Sequence, residues 1–220
     1  MIASSTLTFL KSVAENNNRE WFQAHKSEYV AARENVLDFT GKVIKGLARF
    51  DPSIPSDLPA KDCVMRIYRD IRFSKDKSPL KTNFGIAISS AGKNFKGPGY
   101  YVHIKPGECF IAGGSWYPPA DELKSIRQEI DYNAEDWHRV IDDPEFVSLF
   151  GKPDTEGKLR TAPKGYTPDH PEIEFLKLKS FTMVRKVSDR DLTSDESVEY
   201  VTGMFEKLYP FMLFLRNAIS

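Results

Sequence analysis

The spacing of apolar residues changes twice along this chain, and each change limits the folds that the chain can adopt. Near the N-terminus Leu7, Leu10 and Val13 recur at helical spacing, whereas apolar residues alternate with others from about residue 62 to 116. Successive strands this closely spaced favour an antiparallel meander over βαβ units. Helical spacing returns after residue 120. We therefore predict an α+β fold, in which N-terminal and C-terminal helices pack on a central antiparallel sheet from about residue 62 to 116, as a single domain over residues 1–220.

Polar residues mark the expected helix boundaries. The first helix should end at Asn16, and a second, long helix should begin with Asn17 as its N-cap and Glu20 completing a capping box. The last helix should begin at a second capping box of Thr193 and Glu196. Before it, the sequence LKLKSFTMVRKV is expected to end in a strand.

The first predicted strand covers residues 65–73. Its apolar face would be formed by Met65, Ile67, Ile71 and Phe73. Its polar face would be formed by Arg66, Tyr68, Asp70 and Arg72. Arg69 falls on the apolar side, which indicates either a bulge or turn at that point or a buried and paired guanidinium.

Residues 66–81, RIYRDIRFSKDKSPLK, carry far more basic than acidic side chains. The whole chain has 31 Lys and Arg against 31 Asp and Glu, so this excess is a local arrangement. The acids of the segment are Asp70 and Asp76. The bases are Arg66, Arg69, Arg72, Lys75, Lys77 and Lys81. Clustered positive charge attracts anions, and the arginine fork suits a carboxylate or a phosphate.

The polar faces of the predicted strands suggest a ligand trough. One wall would be the polar face of residues 65–73, and the other would be Tyr101, His103 and Lys105. Small residues of the intervening strand would form its floor: Gly85, Ala87 and Ser89. The alternative is a solvent-exposed face with ordinary ion pairs.

Several residues are candidates for chemistry in such a trough. Asp70 and Asp76 could act as a base or bind a divalent metal carried by a phosphorylated substrate, although structural counter-ions to the arginines are the commoner case. His103 is the best acid–base candidate because it alternates with Tyr101 on the polar face. His170 lies in a loop that could cap a site or merely close a turn.

Further residues could hold a ligand. Gly113-Gly114 ends a strand before Trp116 and could let backbone N–H groups approach an anion, although a bulge is the commoner reason for such glycines. Lys164 precedes His170 in the loop PKGYTPDHP.

No motif in the sequence names a cofactor. There is no P-loop and no covalent-hydrolase signature, and no two of the four histidines are spaced as a local metal motif. We therefore predict no dedicated metal site and no identified cofactor, with a divalent metal entering only with a phosphorylated ligand.

Composition and segment lengths favour a cytoplasmic protein. Cys63 and Cys109 lie in strand-like runs without metal or secretory context, which is typical of reduced core cysteines. The N-terminus has no signal-peptide pattern, and the apolar run Phe211–Leu215 is too short to span a bilayer. A neutral balance argues against a nucleic-acid coat protein.

Several blocks of the chain resemble one known family. They are NNNREWFQAHKSEY (16–29), RIYRDIRFSKDKSPLKTNFG (66–85), GPGYYVHIKPGECFIAGGSWYP (97–118), PKGYTPDHP (163–171) and LKLKSF (176–181). In order and spacing they are similar to the bacterial and fungal family called domain of unknown function 2461. This chain has Leu80 where the family commonly has Tyr, and Met65 where Phe is usual. The resemblance implies a single α+β domain and carries no established activity, cofactor or substrate.

Three functional hypotheses follow. The first is a site for a phosphorylated or carboxylated small molecule, held by Arg66, Arg69, Arg72, Lys77 and Lys81, with enzymatic activity left open. The second is a single-stranded nucleic-acid-binding module that uses bases interleaved with Tyr68, Phe73, Tyr100, Tyr101 and Trp116. The third is a protein-interaction or structural domain whose basic segment is buried in salt bridges. The sequence leaves the oligomeric state open.

Overall fold

A computed structural model describes residues 1–94, 97–153, 155 and 157–220. Within that part of the chain, the helices are α1 (Ser4–Glu15), α2 (Arg19–Ala24), α3 (Lys26–Leu47), α4 (Ala60–Cys63), α5 (Ala120–Tyr132), α6 (Ala134–Ile141), α7 (Pro144–Phe150), α8 (Ile173–Leu176), α9 (Asp189–Thr193) and α10 (Ser197–Ile219). The strands are β1 (Phe84–Ile88), β2 (Gly99–Ile104), β3 (Phe110–Ser115) and β4 (Phe181–Lys186).

The four strands form one antiparallel sheet in the order β1-β2-β3-β4. The α+β class and the antiparallel sheet with N-terminal and C-terminal helices are thus confirmed. β4, expected at the end of the sequence LKLKSFTMVRKV, forms as predicted and pairs beside β3.

The predicted first strand of the meander does not form. Between residues 64 and 73 the backbone makes two isolated bridges, Val64 with Ile86 and Tyr68 with Leu80, and no continuous ladder. Phe73, assigned to the buried face, is 95% exposed. Alternation alone was misleading because the segment turns back on itself after Asp70, and the sheet proper begins at β1.

Two predicted helix starts are shifted. The side chain of Asn18, not Asn17, accepts the capping hydrogen bond from the Trp21 backbone N–H at 2.9 Å. The expected long second helix is interrupted at His25. In the C-terminal region the capping box is formed by Ser188 and Asp191 at the start of α9, while α10 begins only at Ser197.

Contacts between residues group the chain into two compact units. The first comprises Met1–Phe95, Tyr101–Ile111 and Lys186–Glu206. In it α1 packs on α3, and α3 packs on β1, which buries residues such as Leu10 and Phe39. This burial is expected from the apolar stripes of the two helices.

The second unit comprises Lys96–Tyr100, Ala112–Arg185 and Lys207–Ser220. Its core surrounds the fully buried ring of Trp137, which lies 5.9 Å from the ring of Phe211. A single folding domain over all 220 residues stays a prediction.

Candidate functional site

The side chain of Asn17 forms hydrogen bonds with the backbone of the basic segment in the way that a neighbouring strand would. Asn17 donates to the Leu80 carbonyl and accepts from the Leu80 N–H, each at 3.0 Å. The Arg69 N–H donates to the Pro79 carbonyl at 2.9 Å, and the Lys81 N–H donates to the Ile67 carbonyl at 2.7 Å. Residues 67–69 and 79–81 therefore run side by side, and residues 70–78 form a loop between them.

Arg69 closes this loop from inside. Its guanidinium binds the Asp76 carboxylate, the Ser78 carbonyl at 3.3 Å and the Ser74 hydroxyl at 3.4 Å. Asp76 also accepts from the N–H and hydroxyl of Ser78 at 2.9 and 2.6 Å. The hydrogen bonds from Ser78 and then Arg69 hold the pKa of Asp76 far below its ordinary value. Of the two alternatives that the irregular position of Arg69 suggested, the structure thus shows the paired, part-buried guanidinium, and the loop begins only after Arg69.

Three other charged residues of the loop, Asp70, Arg72 and Lys77, make contacts with partners other than Arg69. Arg72 forms a two-pronged pair with Asp70, at 3.0 and 2.7 Å, and hydrogen bonds from Arg72 lower the pKa of the Asp70 carboxyl. Both side chains are solvent-exposed. The Lys77 ammonium donates to the Ile71 carbonyl at 3.0 Å. These contacts shape the loop, and none of the three side chains lines the clefts described next.

Two adjoining clefts lie beside the basic segment. The polar cleft, about 300 Å³, is lined by Ala14, Asn17, Arg69, Asp76, Ser78, Leu80, Lys81, Thr82 and Asn83. The apolar cleft, about 340 Å³, is lined by Arg19, Phe22, Gln23, Tyr68, Arg69, Ile71, Pro79 and Leu80. Arg69 and Leu80 belong to both linings, so the two clefts share a wall.

Lys81 is the side chain of the polar cleft whose charge is least compensated. It is half-buried, and burial followed by the nearby charge of Arg66 lowers the pKa of its ammonium group. Within the described residues no carboxylate forms an ion pair with Lys81 or with Arg66. Two like charges thus influence each other, and one of them, Lys81, lines the polar cleft.

The predicted acid–base pair lies next to the polar cleft. The Nδ1 atom of His103 is 3.3 Å from the Tyr101 hydroxyl and 3.5 Å from the Asn83 amide nitrogen, and Asn83 lines the cleft. The His103 ring stacks on Phe110 with centroids 4.5 Å apart. Burial, followed by the charge of Lys105, lowers the pKa of His103, and burial raises the pKa of Tyr101. Near neutral pH the imidazole is therefore neutral and the phenol is protonated.

The predicted trough does not form. Without a strand at residues 65–73 its first wall is missing, and its floor is covered. A Cβ atom on Gly85 would lie 2.6 Å from the Tyr101 hydroxyl and 3.0 Å from the Met65 sulfur, so side chains already fill the space above that glycine. Ser89 is buried and donates to the Gly92 carbonyl at 2.7 Å.

Two predicted ligand residues of the second unit, Gly113 and Gly114, contact protein instead. A Cβ on Gly113 would meet Leu208 and Met212 of α10, and one on Gly114 would collide with the Phe181 carbonyl of β4. These glycines therefore permit close packing of protein on protein. Trp116, by contrast, is 77% exposed.

The two predicted loop residues of the second unit also differ, since one is exposed to solvent and the other is hydrogen-bonded to protein. Lys164 is exposed. His170 is held between the Asp131 carboxylate, at 3.0 Å from Nε2, and the Glu172 N–H, which donates to Nδ1 at 3.1 Å.

One charged cluster of the second unit was not predicted from the sequence. His138 on α6 places Nδ1 2.7 Å from an Asp142 oxygen and Nε2 2.9 Å from a Glu172 oxygen. Hydrogen bonding to Asp142, and then to Glu172, raises the pKa of His138. The i, i+4 spacing of His138 and Asp142 on one helical turn was a usable signal, but the contact with Glu172 is 34 residues away.

In the described part of the chain, neither a disulfide nor a metal-ligand cluster nor a membrane-spanning helix is present. Cys63 and Cys109 are buried and form no disulfide, and burial raises the pKa of each thiol to about 11. Among the described residues no group of three or more His, Cys, Asp or Glu side chains has the geometry to hold a metal ion. No helix in the described part of the chain has the length and apolar character needed to cross a membrane.

Comparison with known proteins identifies one family. The sequence model of "Conserved hypothetical protein (DUF2461)" matches residues 5–214 of this chain. No curated protein and no solved structure matches the chain significantly.

Proposed function

The chain belongs to the DUF2461 family of conserved hypothetical proteins, and we propose that it binds an anionic small molecule, phosphorylated or carboxylated, in the polar cleft. The observation that carries this proposal is the environment of Lys81, a half-buried ammonium next to Arg66 with no carboxylate paired to it among the described residues.

The physical argument rests on uncompensated charge. A cation that is partly removed from water and lies near a second cation raises the energy of the free protein. An anion in the polar cleft would relieve both effects, and the pKa of Lys81 would rise on binding. Asp76 competes little for this role because Ser78 and Arg69 already hold its carboxylate.

Preorganisation supports the same proposal. Arg69 is fixed by the Ser74 and Ser78 contacts, so its guanidinium loses little freedom when it binds an anion. Thr82 and Asn83 add polar side chains to the same lining. A cleft of about 300 Å³ is at the small end of ligand sites, which suits a compact anionic group.

The proposal concerns binding. It also indicates which acid–base candidates lie next to the polar cleft and which lie outside it. His103 is joined to the polar cleft through Asn83, and its neutral imidazole can accept a proton. Asp70 is engaged by Arg72 and lies outside the cleft lining. If turnover accompanies binding, His103 and Tyr101 are the residues to substitute first.

The experiment compares two lysine variants of one segment. Wild type, Lys81→Gln and Lys75→Gln are titrated with inorganic phosphate, pyrophosphate and succinate by calorimetry, with thermal melting in parallel. Lys75 is the matched control because it is exposed, has the same charge and lines neither cleft. At a hundred times the dissociation constant, a ligand adds about 2.7 kcal/mol of stability, or roughly 5–10 °C for a chain of this size.

Lys81→Gln should weaken binding of the best anion at least tenfold, roughly 1.4 kcal/mol, while Lys75→Gln binds like wild type. Equal weakening in both variants would reduce the effect to general electrostatic attraction and overturn the assignment to the polar cleft. Unchanged affinity in Lys81→Gln would do the same.

A second candidate, binding of single-stranded nucleic acid, is favoured by one observation. Phe73 is 95% exposed, and the Arg72 guanidinium lies 5.8 Å from its ring centroid. Stacking of a base on such a ring would be lost in Phe73→Ala, and binding would weaken steeply with salt. Two of the aromatic residues first considered do not support it, because Tyr100 is buried and Tyr101 packs against Phe110.

A further inference from the structure

The apolar cleft offers a surface for an apolar group next to the polar side chains of Arg19, Gln23 and Arg69. Phe22, Ile71, Pro79 and Leu80 are four of the eight residues that line it, and Tyr68 adds an aromatic ring. Its volume of about 340 Å³ is large enough for a small aromatic or branched aliphatic body.

The aromatic part of this lining is preorganised. The Tyr68 ring meets the buried ring of Phe22 edge-on, with centroids 5.6 Å apart and planes at 74°. The backbone of Tyr68 is held by its antiparallel bridge to Leu80. An apolar group entering this cleft therefore meets side chains that are already held in place, which lowers the entropy lost on binding.

The apolar cleft directly adjoins the proposed anion site. Arg69 and Leu80 line both clefts, and three hydrogen-bonding partners hold the Arg69 guanidinium at that junction. Arg19 adds a second cation to the apolar cleft. A ligand with a charged head in the polar cleft can thus extend an apolar body past Arg69 without burying a charge of its own.

We propose that the ligand is an amphiphilic anion, a phosphate or carboxylate that bears an aromatic or branched apolar group, with its head beside Lys81 and its body in the apolar cleft. This inference rests on the proposed function, since it places the anionic head in the polar cleft. It narrows the expected ligands to anions that bear an apolar group. Compact dicarboxylates and inorganic anions are then expected to bind more weakly.

The test uses two series of ligands. Within each series the anionic group stays the same and the apolar group varies. Inorganic phosphate is compared with phenyl, benzyl and phenethyl phosphate, and acetate with phenylacetate, by calorimetry on the wild-type chain. Varying the spacer between the phosphate and the ring measures the distance between the positions that the two groups occupy. Burial of the ring should make the best aryl ligand bind roughly tenfold or more tighter than the bare head.

Two aliphatic variants locate the apolar group. Ile71→Ser changes a half-buried residue that lines the apolar cleft alone, and Val30→Ser changes an exposed residue of α3 that lines neither cleft. Ile71→Ser should lose the preference for aryl over bare anions and keep its affinity for inorganic phosphate. Val30→Ser should keep both.

The outcomes separate this inference from the function it rests on. Equal affinity for bare and aryl anions, lost in Lys81→Gln, would overturn the amphiphilic ligand and leave anion binding standing. An aryl preference that survives in Ile71→Ser would place the ring elsewhere and also overturn the inference. If no anion of either series binds, both proposals fall.

Discussion

The basic segment of the first unit and the histidine cluster of the second unit are both rich in charge, but their charges are compensated differently. In the second unit each ring nitrogen of His138 faces a carboxylate oxygen, and His170 is held by Asp131 and the Glu172 N–H. In the first unit Lys81 lies beside Arg66 at a cleft and pairs with no carboxylate of the described residues.

This difference separates two uses of charged residues. A cluster whose donors and acceptors satisfy one another cross-links the fold, and it has little left to offer a ligand. A cluster in which one sign is left over at a concave surface can bind the opposite sign. By this criterion we place the proposed site in the first unit, whereas most predicted ligand residues of the second unit have a packing or cross-linking role.

The largest expected effect tests that role of the second unit. Gly114→Ala should lower the free energy of unfolding by roughly 3 kcal/mol or more, because its Cβ would collide with the backbone of β4 at Phe181. Gly107→Ala is the control, since Gly107 also has a positive φ but has open space around it. Denaturant unfolding measures both, and a well-folded, fully stable Gly114→Ala would return this glycine to the list of ligand residues.

The next effect distinguishes two arginines of the basic segment. Arg69→Ala should lower the free energy of unfolding by about 1–2 kcal/mol, because Ser74, Ser78 and Asp76 lose their partner, and it should abolish phosphate binding.

Arg72→Ala is the matched control, because Arg72 pairs with Asp70 in solvent and lines neither cleft. It should leave both stability and binding unchanged. Complete unfolding of Arg69→Ala, with no anion binding in wild type, would favour the purely structural hypothesis for the segment.

A smaller effect is expected from pH at the histidine cluster. A neutral imidazole has one N–H and cannot donate to Asp142 and Glu172 together, so the bridge requires the protonated form. Because the folded pKa of His138 is raised above the unfolded value of about 6.5, its stabilisation is fully present below that pH and is lost as pH rises through the folded pKa.

The measurement is unfolding by denaturant between about pH 6 and pH 8, compared with His138→Gln. Solvent screening of a 40% exposed side chain limits the difference to under about 1 kcal/mol. The charged groups that face the bridge are Asp142, Glu172 and Lys152, the last 3.9 Å from Asp142. Identical pH profiles for the two proteins would show that the bridge contributes nothing.

The smallest expected effect has the opposite sign. Lys81→Met should raise the free energy of unfolding of the ligand-free protein by up to about 0.5 kcal/mol after allowance for screening, because it removes a half-buried charge near Arg66. The same variant should lose phosphate binding. If Lys81→Met is destabilised and still binds phosphate, the conclusion that the charge of Lys81 is uncompensated and available to a ligand is wrong.

Much of the architecture could be predicted from local patterns. The helical spacing of Leu7, Leu10 and Val13 identified α1, and the alternation that placed Gly85, Ala87 and Ser89 on one face identified β1. Such patterns are reliable because burial of one face repeats with the period of the element itself. Caps were less reliable, since adjacent asparagines are equivalent in sequence and the contact with Leu80 decides that Asn17 does not cap α2.

The sequence by itself determined the class of fold, the excess of positive charge in residues 66–81 and the family to which the chain belongs. These properties depend on composition and spacing along the chain. The tertiary structure alone decided that residues 65–73 form no strand, that Tyr101 covers Gly85, and that Lys81 and not Arg72 lies at a cleft. Those outcomes depend on contacts between residues far apart in sequence, because whether a charge is compensated is set by its neighbours in space.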